Sequence, residues 1–276
     1  SFRMHPIALL HRFLLPAALL LGVAQAHAGL VLHYAFDETS GATAADSSGS
    51  GNTGTLFNGG STPWVPGRIG NALSIDYVTN GYVRAVGYEG VLGTNARTLA
   101  YWVNSTNLGE YNYAVTWGVS GGTLSRIEAW NHGSNGKALL SFGGANIGGS
   151  GPSVTDGTWH HVAYSFPDSA SLADVKIYVD GTLYTTAWGG ATIINTNGGK
   201  DVFVGTDSGF GNRFAGMIDD LRIYDHALSA SEVSALASMG GSGAPEPAET
   251  FAFLGLLVAA GLGYREWRSR RKAKAT

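Results

Sequence analysis

Residues that could do chemistry are sparse in this chain and mostly solitary. Glycoside hydrolysis needs two carboxylates flanking one bond, which on a strand means carboxylates alternating on one face. No such E-x-D-x-x-E pattern occurs. Glu128 is followed by Ala129, Trp130 and Asn131, and Asp219-Asp220 are neighbours that an ordinary strand points to opposite faces. His160-His161 has the composition of a metal or base pair, yet adjacent strand residues cannot chelate one ion together. The pair reads as packing and hydrogen-bonding residues. The chain has no cysteine, which excludes thiol catalysis, disulfide scaffolds and zinc ribbons. No enzymatic activity is expected from these residues.

The segment 124–131 gathers more promising side chains. Ile127 and Ala129 share one face of a strand, and Leu124, Arg126, Glu128 and Trp130 share the other. Sugar faces stack on aromatic rings, and their hydroxyls need hydrogen-bonding partners. Arg126, Glu128 and Trp130 therefore form a candidate glycan-binding platform. The competing reading is a salt bridge on a solvated sheet, with Trp130 packed against a loop. Trp102, Trp117 and Trp159 lie in apolar strands and read as core, whereas Trp64 and Trp188 lie near loops and fit either role.

The elements that must position these groups are strands. Gly accounts for 41 of 276 residues and charged residues for only 13%, a balance that suits a β-rich protein and excludes a helical bundle or a disordered chain. Short runs rich in Val, Ile, Tyr, Trp and Thr predict strands over 30–36, 72–75, 82–86, 98–104, 113–118, 124–131, 138–142, 159–166, 175–179, 183–186, 202–205 and 215–224. Asp180-Gly181 between alternating runs predicts a two-residue type I′ hairpin, whose two central residues both need positive φ. Ser229 and Glu232 form a capping box ahead of Val233, Leu236 and Ala237, predicting one short helix. No linker divides 29–240, which reads as one all-β antiparallel β-sandwich with one short C-terminal helix.

The two ends read as addresses. Met4 is the expected start, with His5 and Arg12 as a mildly basic opening. Phe13–Val23 is apolar, and Ala24-Gln25-Ala26 and Ala26-His27-Ala28 are overlapping small-x-small cleavage sites. Residues 4–28 are therefore expected to be a secretory signal peptide. At the other end, the linker 241–250 contains Pro245-Glu246-Pro247. It precedes an apolar run expected to be helical, Phe251–Tyr264, and six basic residues between Arg265 and Lys274. That run makes roughly 21 Å of helix against a hydrocarbon core of roughly 30 Å. It reads as a transient membrane anchor with its basic end in the cytoplasm; an ordinary single-pass anchor is the alternative. With Arg3, these ends hold eight of the 17 Lys and Arg, leaving the middle acidic. Such a surface repels phosphate backbones and excludes nucleic acid as a partner, while it suits neutral sugars or a cation such as Ca²⁺.

Two resemblances follow. Pro-Glu-Pro, an apolar segment and an Arg-rich end resemble the PEP-CTERM sorting tail of Gram-negative bacteria, interrupted here by Glu266 and Trp267. It implies recognition at Pro245, Glu246 and Pro247 by an exosortase-type enzyme, and delivery to the cell surface or matrix. The ordered motifs of 30–238 resemble the laminin G-like, concanavalin A-like jelly rolls: Leu32–Phe36 with Asp37-Glu38, Asp46-Ser47-Ser48-Gly49, Gly67–Leu73, Arg97–Val103, Asp156–Ala163, the Asp180-Gly181 hairpin, and Phe214–Tyr224 with Ala227-Leu228-Ser229. That resemblance implies a structural Ca²⁺ near Asp46 and Asp219; the alternative is a turn-forming Asp46 and an Asp219 paired with Arg222 or a backbone amide. Jelly-roll lyases use Arg, Gln, His and Tyr on one sheet, but the only Gln is Gln25, in the signal. The expectation is a secreted, non-catalytic protein of the surface or matrix that binds extracellular polysaccharide. The alternatives are a structural or adhesion protein that binds another protein and, third, a polysaccharide-degrading enzyme.

Overall fold

The computed structural model describes residues 29–60, 63–109, 112–119, 124–131, 135–143, 145–184 and 191–240. The expected signal segment, the Pro245-Glu246-Pro247 linker and the apolar and basic tail lie outside the described residues. Among the described residues no helix is long and apolar enough to cross a membrane.

In chain order the strands are β1 (Leu30–Tyr34), β2 (Thr43–Ala44), β3 (Gly54–Phe57), β4 (Trp64–Pro66), β5 (Asn71–Ile75), β6 (Tyr82–Ala85), β7 (Arg97–Asn104), β8 (Asn112–Gly118), β9 (Arg126–Asn131), β10 (Lys137–Ser141), β11 (Asn146–Ser153), β12 (His160–Phe166), β13 (Lys176–Val179), β14 (Thr182–Tyr184), β15 (Val202–Val204) and β16 (Gly216–Tyr224), followed by helix α1 (Ala230–Ser238). Sheet A has the order β14-β13-β12-β7-β16-β5-β4, with β1 also paired to β16, and sheet B the order β11-β10-β9-β8-β15-β6-β3-β2. Together they make an antiparallel β-sandwich, as the composition predicts. Alternation fills its core: Leu99, Tyr101 and Val103 of β7 and Val162, Tyr164 and Phe166 of β12 meet Val83, Ile127, Ala129, Leu140, Val202 and Val204 of sheet B.

Local signals hold where the chemistry is local. Asp180 and Gly181 take φ of 49° and 75°, as a type I′ turn requires. Strands β2, β3, β4 and β11 are not anticipated, because β2, β3 and β4 are only two to four residues long and β11 is rich in Gly and Ser; pairing of β2 with β3, β3 with β6, β4 with β5 and β11 with β10 organises them. Two expectations are corrected. Leu124 is not a strand residue on the outer face: it has φ of 61° and is buried in the core, and β9 begins at Arg126. Trp159 is half-buried outside β12, because the Asp156 carboxylate accepts from the Thr158 amide at 2.9 Å and keeps the chain in a turn until His160.

Helix α1 closes the outer side of sheet A. Its Val233 and Leu236 pack on Ala100, Ala163 and Tyr178. The Ser229 Oγ accepts from the Glu232 amide at 3.3 Å, and a Glu232 carboxylate oxygen accepts from the Ser229 amide at 2.7 Å, which completes the capping box. Ser229→Ala is expected to cost about 1 kcal/mol, lowering the melting temperature by roughly 2–4 °C. Thermal melts followed by circular dichroism check this.

Candidate functional site

The outer face of sheet B carries a continuous row of side chains running across the strands. Register pairs Thr55 with Arg84, Arg84 with Phe203, Phe203 with Thr116, Thr116 with Glu128, Glu128 with Ser141, and Ser141 with Asn146. A second row holds Phe57 opposite Tyr82 at one end, and Tyr113 opposite Trp130 and Trp130 opposite Leu139 at the other. Both rows follow from period-two alternation: Val83 and Ala85 face the core, so Tyr82 and Arg84 face away, and Phe203 does so between Val202 and Val204.

At the β3–β6–β15 end the row becomes an aromatic cluster. Phe57 stacks on Tyr82 with ring centroids 5.0 Å apart and 15° between planes. Phe210, from the loop between β15 and β16, meets Tyr82 at 5.2 Å and the edge of Phe203 at 5.4 Å. Phe210 is 41% exposed and has φ of 60°. A bulky residue in the left-handed region is uncommon and costs energy. The Asp207 carboxylate holds the loop there, accepting from the Gly211 amide at 2.9 Å and the Asn212 side-chain amide at 2.8 Å. Polar groups flank the rings. Arg84 Nε donates to Asp201 at 2.6 Å while its guanidinium lies 5.7 Å from the Phe203 ring. The Arg213 guanidinium lies 5.8 Å from Phe210, and its Nε donates to Asn80 at 3.1 Å.

Arg126, Glu128 and Trp130 project together from β9 onto this same face, as the alternation requires. They are more enclosed than a sugar platform needs: Glu128 is 2% and Trp130 7% exposed. Arg126 Nε lies 3.1 Å from Glu128 Oε2. Burial, with the negative charge of Asp207, raises the Glu128 pKa against the opposing effects of Arg126 and Ser141. Trp130 stacks on Tyr113 at 5.7 Å. Among the described aromatic residues of this face, Phe210 is exposed beside half-buried Phe57 and Tyr82, a cluster that sequence reasoning passed over. The signal available was the Val-Phe-Val alternation of β15; nothing local links it to β3 and β6.

The residues considered for a metal have separate partners. Asp46 accepts from the amides of His33 and Ser48, each at 3.0 Å, and of Asn52 at 2.7 Å. Burial opposes its charge, but these bonds prevail and lower its pKa. Asp219 is fully buried; its Oδ2 accepts from the amides of Arg68 at 2.7 Å and Ile69 at 2.8 Å, and its Oδ1 has no hydrogen-bond partner among the described residues. Gly67 is required here, since a Cβ would lie 2.6 Å from that Oδ2. Burial raises the Asp219 pKa to about 7. Ca²⁺ takes six to eight oxygens, and no three His, Asp or Glu gather around one point among the described residues. Asp46 and Asp219 thus each hold backbone amides, Asp46 those of His33, Ser48 and Asn52 and Asp219 those of Arg68 and Ile69. The histidine pair divides as alternation predicts: His160 Nδ1 lies 2.8 Å from Asp180, whereas His161 is buried at 5.3 Å from the Trp102 ring.

Residues 77–234 match the Laminin_G_3 profile, described as the concanavalin A-like lectin/glucanases superfamily. The chain belongs to this superfamily. A curated relative of this concanavalin A-like domain is the Sushi, von Willebrand factor type A, EGF and pentraxin domain-containing protein 1 of Rattus norvegicus, 27% identical over 181 residues. The match covers 61% of this chain and only 5% of that protein. Among solved structures, domain 4 of AbnA, a GH43 extracellular arabinanase from Geobacillus stearothermophilus in complex with arabinotriose, is 26% identical with a TM-score of 0.60, covering 76% of this chain and 99% of that one. The binding domain of Botulinum neurotoxin DC shares the fold at 12% identity and a TM-score of 0.55, over 78% of this chain and 52% of that one.

Proposed function

We propose that this concanavalin A-like domain is an exported, non-catalytic module that binds extracellular polysaccharide through the outer face of sheet B. The observation that carries the reading is the aromatic cluster, where Phe210 is held exposed against Tyr82 and Phe203 in an unfavourable backbone conformation. Rings beside Arg84, Asp201 and Arg213 supply stacking and hydrogen bonding together, which is what sugar recognition needs. The likeness to an arabinanase domain solved with arabinotriose supports a saccharide as ligand. The carboxylates of this face favour binding over hydrolysis: Glu128 is buried against Arg126, Asp201 is paired with Arg84, and Asp207 is committed to its own loop. The signal segment, the Pro245-Glu246-Pro247 tail with its exosortase-type processing, and transient membrane contact complete the proposal as its route to the surface or matrix.

Retention of the purified protein on a panel of immobilised polysaccharides tests it. Phe210→Gly removes the ring while suiting the left-handed backbone. It is expected to weaken retention by about tenfold, or about 1.4 kcal/mol, with the melting temperature unchanged. Undiminished retention moves the contact elsewhere. No retention of the folded wild type on any polysaccharide favours the adhesion reading. Running the panel in Ca²⁺ and in EDTA shows whether the ion implied at Asp46 and Asp219 takes part.

A further inference from the structure

Around the end of β3 from the aromatic cluster lies a cleft of about 460 Å³, lined by Thr39, Ser40 and Gly41 on one side and Asn58 and Trp64 on the other. Its size falls within the range of small-ligand clefts, roughly 300–1,000 Å³. Among the described residues that line it none is charged. Trp64 is half-buried, stacked at 25° on Phe36, and its indole N–H donates to the Gly41 carbonyl at 3.1 Å, which fixes the ring as a wall. Thr39, Ser40 and Asn58 are exposed and offer hydroxyl and amide groups. A fixed indole, neutral hydrogen-bonding groups and no ionisable side chain suit a neutral sugar and offer a uronic acid or a phosphate no counter-charge. Phe57 of the cluster and Asn58 of the cleft are consecutive, so their Cα atoms are about 3.8 Å apart.

We propose that this cleft is a second subsite, so that the domain grips a neutral polysaccharide chain at two places and binds a polymer more tightly than a short fragment. The proposal rests on the reading of sheet B's outer face as the first contact. Joining two contacts in one ligand makes the second intramolecular and raises avidity without strengthening either.

The test uses the full chain, the polysaccharide that wild type retains best, and a trimer prepared from it. Trp64→Ala is expected to reduce affinity for the polymer at least tenfold and leave the trimer's affinity within twofold, because the trimer is held by the Phe210 cluster. Phe210→Gly should weaken both. Trp64→Ala also removes the packing on Phe36, so Ser40→Arg provides a second variant: it lays a long side chain across the cleft from an exposed position. It should reproduce the polymer-specific loss with an unchanged melting temperature. Wild-type affinity for the polymer in Ser40→Arg overturns the subsite and leaves the first contact standing. Equal losses for polymer and trimer in Ser40→Arg also overturn it. If wild type retains no polysaccharide, both readings fall together.

Discussion

Replacing Asp220 with Ala is expected to lower the melting temperature by about 10 °C at pH 7. Asp220 is 4% exposed and lies between two buried partners. Its Oδ1 is 2.7 Å from His33 Nε2 and 2.9 Å from Arg222 Nη2, and Arg222 Nε is 3.1 Å from both carboxylate oxygens. Burial opposes its ionisation, but the His33 hydrogen bond and the Arg222 charge prevail and bring its pKa down to about 2. Removing one member of a buried ionic group costs about 3–5 kcal/mol, because the remaining charge stays desolvated. At roughly 2–4 °C per kcal/mol for a domain of this size, the shift follows. The group also aligns the sheet. The His33 amide donates to Asp46 and its ring meets Ser47 Oγ at 2.6 Å, so Asp220 ties the 46–52 loop and β1 to β16. Asp220→Asn keeps the shape but removes the charge, and should lose most of the same stability. Since the folded pKa lies below the ordinary 3.8, this contribution is present above pH 3.8 and is lost as pH falls towards 2. Scanning calorimetry at pH 7 reads the effect, and a loss under about 2 °C would show that the triad contributes no net stability.

The legibility of this fold tracks the distance over which each signal acts. Asp180-Gly181 and the Ser229–Glu232 box are decided within four residues, and both appear as expected. Trp102 and Trp117 read as core from the apolar strands around them, and both are buried. Strand alternation likewise places Arg126, Glu128 and Trp130 on one face. Alternation names a face but not what shares it: stacking of Tyr113 on Trp130 and the Arg126 ion pair are tertiary facts. The cluster of Phe57, Tyr82, Phe203 and Phe210 draws on two strands from the first third of the chain and on a strand and loop near its end. Only sheet order brings them together. Asp219-Asp220 adds a different lesson. Period two assumes an unbroken strand, yet the register against β7 shifts between Asp219 and Arg222, and Asp220 takes φ of 47°. A bulge of this kind re-aims side chains and leaves both carboxylates buried with separate partners.

The other large effect expected is a gain. Asp219→Asn should stabilise the protein in EDTA by about 4 kcal/mol at pH 8 and by nothing below pH 3.8. Burial raises the folded pKa of Asp219 from 3.8 to about 7, and each tenfold change in proton affinity corresponds to about 1.4 kcal/mol. A raised folded pKa contributes stability that is fully present below pH 3.8 and lost as pH rises through 7. An amide at this position carries no charge to desolvate, and its oxygen can still accept from Arg68 and Ile69. The melting curve of the wild type alone does not isolate this effect. Burial lowers the His161 pKa to about 4, so His161 loses stability in the opposite direction, as pH falls from 6.5 towards 4. Subtracting the variant's curve from the wild type's cancels His161 and leaves Asp219. The predicted difference opens between pH 4 and 7, levels off above, and reaches about 10 °C at roughly 2–4 °C per kcal/mol. A wild type more stable than the variant at pH 8 in EDTA would defeat the argument. The same pair measured in Ca²⁺ addresses the ion that the family resemblance implies. A cation on Asp219 Oδ1 would hold the carboxylate ionised and reverse the order of the two proteins, whereas an unchanged order would leave Asp219 as a buried cap on the Arg68–Ile69 turn.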